Sequence, residues 1–415
     1  MATGYAELLR ARHAIRLLTG TLVGRLPNAT AALAVVLLAR AEGGSYALAG
    51  TLSALYGLAT AVGQPLLGRA VDLWGQPRVM LPAAVLSALG MGCYALVGVE
   101  PLWVAVTAML VAGLATPPLE GGLRALWPSV LRDDRRVQAA YALDAVAQEV
   151  MFAVGPLLVT VLVAMRDEAT ALLVLNAVGV LGALSVVVSP PSRAWRSAPR
   201  EAHWLGALRS WGLVVLLGAF FFVGCAMGAI SVGAVAYADA HGSGLVSSYL
   251  LSAHGFGALV GGLVYGGRRW SGAPERRLRL LVAALAAGYL PLLLVPAVPW
   301  MTVLAGLSGV SLAPALACAF VVIDRQAPRG TVTEAFSWLV TTFGVGAAAG
   351  TAVAGPALER GGPVAGFAVA ALGGVAALGV LQCTRRVLRP RPPAVGAEHD
   401  RDEATEPGFR AGNRA

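Results

Sequence analysis

The chain has 415 residues, of which 57% are hydrophobic and only 13% charged, and its mean hydropathy is +0.71. A water-soluble domain carries about 25% charged residues, so this composition excludes an ordinary soluble protein. Apolar runs of about 20 residues, long enough to cross roughly 30 Å of hydrocarbon, recur along the whole sequence. Because helices satisfy their own backbone hydrogen bonds in lipid, we predict an all-α polytopic membrane protein.

Hydropathy predicts twelve transmembrane helices in two six-helix halves. The first six spans are 14–39, 47–67, 79–99, 101–124, 139–165 and 169–189, and the last six are 211–236, 247–267, 279–298, 301–323, 334–358 and 364–383. Two very short connections leave ten or eleven spans as an alternative. We expect an N-terminal six-helix half over 1–189, a central cytoplasmic linker over 190–210, a C-terminal six-helix half over 211–383 and a disordered cytoplasmic tail over 384–415.

Arginine alone decides the predicted orientation, because the sequence contains no lysine. If both termini lie on the side of the linker, 27 of the 31 arginines fall on that side, which the positive-inside rule places in the cytoplasm. We therefore expect a monomeric, multi-pass plasma-membrane protein with both termini cytoplasmic. The net charge of +9 belongs to this face and suits anionic lipid headgroups, so it does not indicate nucleic-acid binding.

The two halves contain a similar stretch. LSALYGLATAVGQPLLGR, beginning at Leu52, aligns with LSAHGFGALVGGLVYGGR, beginning at Leu251, six spans later. Glycine-rich apolar helices can look alike by chance, which is the alternative reading. A repeat across a central linker is typical of secondary transporters that rock about a site between their halves.

The connection between spans 2 and 3 reads GRAVDLWGQPR over 68–78. The spacing of Gly68, Asp72, Gly75 and Arg78 resembles the loop signature of the major facilitator superfamily, although Pro77 stands where a basic residue is usual. Span number, central linker and half-repeat agree with this resemblance along nearly the whole chain. It implies a transporter that alternates between two states, and it places this loop on the cytoplasmic side.

The resemblance also implies roles for the loop residues. Asp72 would accept backbone N–H groups from the first turn of span 11, whose start TVTE (331–334) has the sequence of a capping box. Asp72 would also pair with Arg124 at the inner end of span 4. Together these contacts would form a cytoplasmic gate; a solvated charged loop is the alternative. The matching loop of the second half, 266–279, has no aspartate, so its gate is either weaker or uses Glu275.

Ionisable groups at mid-membrane are costly and therefore candidates for function. Arg25 and Glu149 each lie eleven residues into a span that runs outward, which places both roughly 16 Å from the inner face. We predict an ion pair between them. It is either a structural salt bridge or a coupling site in which Glu149 takes up and releases a proton.

Three further groups are weaker candidates. Asp144 lies on another face of span 5 from Glu149, as a second gate partner or as a proton relay. Glu120 and Arg124 have the spacing of a local i, i+4 pair. His254 could titrate near neutral pH, although a packing histidine is the more common case.

Gly155-Pro156 in span 5 resembles the core of the superfamily's antiporter motif. The glycines expected around it are replaced by Met151 and by Val159-Thr160, so only the helix-kink element is left. This element indicates antiport less strongly than the full motif would.

The sequence lacks the motifs that other classes of function require. The sequence has no HExxH, GxSxG or paired-aspartate pattern for an enzyme and no Walker A loop for an ATP-driven pump. Its four cysteines form no CxxC or Cys/His cluster, so we expect no metal or other cofactor. We predict proton-coupled efflux of small amphipathic organic molecules. A sugar or other nutrient permease is the alternative, although its spans contain only four amides (Asn28, Gln64, Gln148 and Asn176).

Overall fold

The computed structural model describes residues 2–131, 133–199, 203–242 and 245–387. Most of the predicted tail, 388–415, and part of the predicted linker, 200–202, lie outside the described residues. The described residues form helices and connecting turns, with no strand among them.

The first half begins with a short helix and continues with six spans. Its helices are α1 (Ala2–Arg10), α2 (Ala14–Ala41), α3 (Tyr46–Trp74), α4 (Gln76–Val97), α5 (Leu102–Leu114), α6 (Leu119–Leu131), α7 (Asp134–Met165) and α8 (Glu168–Val187). A short helix in the linker, α9 (Pro190–Ala194), follows. The second half comprises α10 (Trp211–Ala240), α11 (Leu245–Gly266), α12 (Pro274–Tyr289), α13 (Val298–Gly309), α14 (Leu312–Gln326) and α15 (Val332–Cys383).

These helices make up twelve spans. Span 4 is broken into α5 and α6, and span 10 into α13 and α14. The 52-residue α15 contains spans 11 and 12, which meet at Gly362, where the backbone is not helical (φ 62°). By length and hydropathy ten of the described segments qualify as membrane spans, with α15 counted once and α11 not included. The twelve-span prediction is confirmed.

The two broken spans occupy corresponding places in the two halves. The first break falls at Ala115–Pro118, where two prolines interrupt the helical hydrogen bonding, and the second falls at Val310–Ser311. Breaks at matching positions of a repeat are typical of the binding region of secondary transporters. The breaks therefore predict a binding region between α6 and α14.

The two halves meet along α3 with α15, and along α7 with α11 and α14. A Cβ atom at Gly68 would lie 2.5 Å from Ser337 Oγ of α15, so α3 and α15 approach closely only because residue 68 is glycine. The Gly68–Arg78 segment, in which only Gly75 separates α3 from α4, lies at this end of the bundle together with the described part of the linker and the α11–α12 connection. We call it the arginine-rich end; here the halves are in contact.

Candidate functional site

At the arginine-rich end, Asp72 joins the two halves. Its Oδ1 accepts a hydrogen bond from Thr333 N at 3.1 Å, and its Oδ2 accepts one from Glu334 N at 2.9 Å. These amides belong to the first turn of α15, where a carboxylate also interacts favourably with the positive end of the helix dipole. The side chain is buried, at 8% exposure. This is the contact between Asp72 and span 11 that the sequence led us to expect.

Two details of the expected gate are wrong. Arg124 does not pair with Asp72, because both of its ion pairs go to other carboxylates of the first half. The TVTE segment is not a capping box, because the Thr331 side chain makes no cap bond and instead donates to the Pro328 carbonyl at 2.8 Å. Asp72 supplies the cap from another helix. Gly75 ends α3 with a positive φ of 85°, and Arg78 is exposed beside it.

The second-half loop has no carboxylate latch of this kind. Glu275 is buried at 5% exposure, but neither of its carboxylate oxygens has a hydrogen-bond partner among the described residues. A contact from α1 spans this seam instead. Tyr5 Oη donates to the carbonyls of Gly262 and Leu263 on α11, at 3.3 and 3.2 Å, while α1 itself packs on α7.

Four charged side chains form a closed ring inside the first half. Arg25 of α2 binds Glu120 Oε1 through Nη2 at 2.7 Å and Asp144 Oδ1 through Nη1 at 3.1 Å. Arg124 of α6 binds Asp144 Oδ2 through Nε at 2.6 Å and Glu120 Oε2 through Nη2 at 3.3 Å. Two positive and two negative charges alternate, so the ring is neutral when both carboxylates are ionised. We call these four residues the charged ring.

Burial differs among the members of the charged ring. The side chains of Asp144 and Arg124 are 0% and 1% exposed, whereas those of Arg25 and Glu120 are 8% and 14% exposed. Asp144 is therefore enclosed by protein, and Glu120 is the carboxylate nearest to open space.

The predicted Arg25–Glu149 pair is wrong, because Arg25 is bound by Glu120 and Asp144. Equal depth on two parallel helices does not fix the direction in which a side chain points. Asp144 precedes Glu149 by five residues, or about 140° around the helix, and it is Asp144 that faces α2 and α6. Glu149 has no ion pair among the described residues.

Arg124 also reaches the second half. Its guanidinium carbon lies 3.8 Å from the centre of the Phe320 ring of α14 and 6.0 Å from that of Phe336 of α15. Tyr141 of α7 completes an aromatic cluster with these two phenylalanines, with ring centres 5.9 to 6.1 Å apart. The charged ring is thus packed directly against the other half.

A cavity of about 320 Å³ lies between the halves, beside the charged ring. The first half lines it with Arg25, Glu120, Arg124, the amides Asn28 and Gln148, and three small or apolar residues; the second half lines it with Leu316, Phe320, Leu339, Val340, Phe343 and Gly344. One wall is thus largely polar and charged, and the other is apolar and aromatic. Such a cavity matches a ligand with a polar end and an apolar body.

A chamber of about 30 Å³ adjoins the ring within the first half, at the break between α5 and α6. Tyr56 Oη donates to Asn28 Oδ1 at 3.1 Å and lies 3.3 Å from Thr116 Oγ1. Arg25 and Glu120 line this chamber as well as the large cavity.

Two other predicted site residues lie apart from the cavity lining. His254 is buried on α11, with Nδ1 3.0 Å from Ser308 Oγ and with no hydrogen-bond partner for Nε2 among the described residues. Gly155 is buried in α7, where a Cβ would meet Thr30 of α2 at 3.4 Å. The helix continues through Gly155-Pro156 without interruption.

Sequence reasoning missed the role of Glu120 and the position of Phe320. The sequence identifies Glu120 and Arg124 as a local pair. The adjoining Pro117-Pro118 pair, which breaks the span, is the sequence feature that could have indicated that both side chains point inward. Nothing in the sequence around Phe320 distinguishes it from the other phenylalanines.

A twelve-span bundle with a cavity between its two halves and buried ion pairs in one cavity wall is the architecture of a membrane transporter rather than of an enzyme. The family model of the Major Facilitator Superfamily matches residues 17–351. No curated protein matches the sequence. The chain belongs to the major facilitator superfamily, whose members move small molecules across membranes.

Solved structures share this fold. The human organic anion transporter MFSD10 (TETRAN) superposes with a TM-score of 0.67 at 16% identity, covering 89% of this chain and 98% of that one. A bacterial homologue of the iron transporter ferroportin, in an outward-facing state, gives 0.70 at 13% identity over 90% and 99%. The E. coli fucose:proton symporter FucP gives 0.66 at 12% identity over 89% and 97%. At these identities the likeness concerns the fold alone.

The Asp72 contact predicts how readily the arginine-rich end opens. Asp72→Ala removes two hydrogen bonds from the first turn of α15, and losing such a cap costs about 0.5–2 kcal/mol. We expect a cysteine at Thr333, which is fully buried, to react about 2- to 30-fold faster with a membrane-impermeant thiol reagent in a background free of native cysteines. Asp239→Ala, at an exposed carboxylate, should leave the rate unchanged. Equal rates in all three proteins would contradict a latching role for Asp72.

The charged ring predicts a graded loss of stability. Removing one partner of a buried ion pair costs about 3–5 kcal/mol, because the other charge stays buried. We expect Asp144→Asn to lower the Tm in detergent by several degrees, and Glu120→Gln to lower it less because Glu120 is partly exposed. Asp239→Asn serves as the control. A larger loss for Glu120→Gln than for Asp144→Asn would contradict this assignment of burial.

Proposed function

We propose that this protein is a secondary active transporter that exports small amphipathic organic molecules in exchange for protons, by alternating access. The observation that carries the proposal is the charged ring in one wall of a cavity whose opposite wall is apolar. We further propose that it acts as a monomer in the plasma membrane, with the arginine-rich end and both termini in the cytoplasm.

The cavity lining supports an amphipathic substrate. Phe320 and Phe343, together with the aliphatic side chains around them, offer an apolar wall to the body of a ligand, and Asn28 and Gln148 offer hydrogen bonds to its polar end. A sugar requires hydrogen-bonding partners around most of its surface, and the second half contributes none from its lining side chains. The nutrient permease is therefore the weaker candidate.

The charged ring supports proton coupling. Its four charges cancel, so a proton added to Glu120 or Asp144 leaves one uncompensated positive charge in a poorly hydrated place, where electrostatic interactions are strong. Glu120 lines the cavity and can exchange protons with it, whereas Asp144 holds both arginines in place. Glu149 is a second, separate candidate, because it is a carboxylate without an ion-pair partner among the described residues.

Export is supported by the Gly155-Pro156 element on α7, which matches the core of the superfamily's antiporter motif. Alternating access requires the Asp72 contact with α15 to break when the arginine-rich end opens. Asp72 therefore acts in the gate and not in substrate binding, and it is not among the residues that line the cavity.

Substrate-induced proton movement in everted membrane vesicles tests this function. A panel of amphipathic compounds should include some that dissipate an imposed pH gradient with the wild type. We expect Glu120→Gln and Asp144→Asn to abolish that signal, because neither carboxamide can carry the coupled proton. Glu359→Gln, an exposed acid between spans 11 and 12, is the matched control and should respond as the wild type does.

Glu149→Gln separates the two proton sites. A normal response in this variant, with loss in the ring variants, assigns coupling to the charged ring; the reverse pattern assigns it to Glu149. Silence of the wild type across the panel, with pH-driven uptake of sugars or other nutrients, would reject efflux and favour the permease.

A further inference from the structure

We infer that Phe320 is the positioning residue through which the charge of the ring acts on the second half. This inference rests on the proposed proton coupling, and it identifies the point at which a proton bound in one half affects closure of the arginine-rich end.

A proton can drive the transport cycle only if it interacts differently with the two states of the protein. All four members of the charged ring belong to the first half, on α2, α6 and α7. If that half moves as a rigid body, the contacts within the ring are the same in both states. A change of charge in the ring must therefore act on something in the second half to shift the equilibrium.

The contact that meets this requirement is the one between Arg124 and Phe320. Two of the three guanidinium nitrogens bind carboxylates, Nε binding Asp144 and Nη2 binding Glu120, while Nη1 has no hydrogen-bond partner among the described residues. The face of the guanidinium is left for the Phe320 ring, 3.8 Å away. Both side chains are only 1% exposed, so little water screens the attraction between the cation and the aromatic face.

The direction of the effect follows from the charges. With Glu120 and Asp144 both ionised, the field of Arg124 at Phe320 is largely offset by the neighbouring carboxylates. Protonation of either one removes part of that offset and strengthens the attraction to the ring face. Phe320 lies on α14, so a protonated ring holds the two halves together, and deprotonation makes it easier for them to separate at the arginine-rich end.

Other titratable or charged groups on the helices packed around this contact could also respond to pH. They include Tyr56 on α3, Tyr141 and Glu149 on α7, His254 on α11, Glu275 and Arg277 on α12, Asp324 and Arg325 on α14, and Asp72 with Glu334 where α3 meets α15. Of these, Tyr141 packs its ring against that of Phe320. A pH response carried by the other groups does not require the aromatic face of Phe320 and would therefore survive replacement of this phenylalanine.

The test measures the conformational equilibrium without substrate. Spin labels are placed at Tyr46 and Leu245, which are 75% and 64% exposed at the starts of α3 and α11, in a background without native cysteines. In the wild type we expect the ratio of the two distance populations to change about tenfold across a pH series, in line with a desolvated cation–π contact. In Phe320→Leu the change should fall below about twofold.

Three further variants serve as controls for the Phe320→Leu measurement. Phe320→Tyr keeps an aromatic face and should retain the pH response. Phe343→Leu removes an aromatic ring from the same cavity wall. Among the described residues Arg124 has its cation–π contacts with Phe320 and Phe336 and not with Phe343, so this variant should keep the wild-type pH response. Phe320→Met, close in volume to leucine and flexible, takes the same test if the leucine variant does not fold.

The possible results distinguish a failure of the Phe320 inference from a failure of the proposed proton coupling. A full pH response in Phe320→Leu or Phe320→Met overturns the role of Phe320 and leaves proton coupling intact. Loss of the response in Phe343→Leu as well would also overturn it, because the effect would then belong to the cavity wall in general. A wild type without any pH response rejects the proposed proton coupling and the inference with it.

Discussion

The packing of the first half depends on the mutual pairing of four charged side chains that are shielded from water. Moving a carboxylate or a guanidinium into a protein interior costs several kcal/mol per ion, and the cost is recovered only when geometry and pairing are good. In the charged ring each guanidinium binds both carboxylates, at distances of 2.6 to 3.3 Å. Helices α2, α6 and α7 are therefore fixed relative to one another, because moving any of them would leave a buried charge without a partner.

This rigidity has a counterpart at the seams between the halves, where contacts must form and break. Asp72 binds two backbone amides of α15 and has no ion pair among the described residues, so its contact closes the arginine-rich end without being part of a buried ion pair. On the opposite seam, where the loop lacks an aspartate, Tyr5 donates to the carbonyls of Gly262 and Leu263 on α11. Breaking these two contacts, one made by a single carboxylate and one by a neutral tyrosine, costs less free energy than separating the four charges of the charged ring.

Much of the fold follows from the sequence, because the membrane directly imposes the length and apolar character of each span and the bias in arginine placement. Asp72 was placed on α15 correctly because its spacing from glycines matches a known loop. Arg25 was paired wrongly because depth can be counted along a helix, whereas the direction of a side chain depends on helix rotation. The break at Pro117-Pro118 turns Glu120 and Arg124 inward, and this rotation decides which carboxylates Arg25 meets.

The two walls of the cavity also explain why the halves cannot be equivalent. If both cavity walls carried charged side chains, each state would have to bury or hydrate two sets of ions, and the difference between the states would be large. With the charged ring in one wall and apolar side chains in the other, the halves can separate without exposing an unpaired ion. The apolar wall then needs only one feature that responds to charge. An aromatic face is suited to this, because it attracts a cation and yet is desolvated as readily as any other hydrocarbon surface.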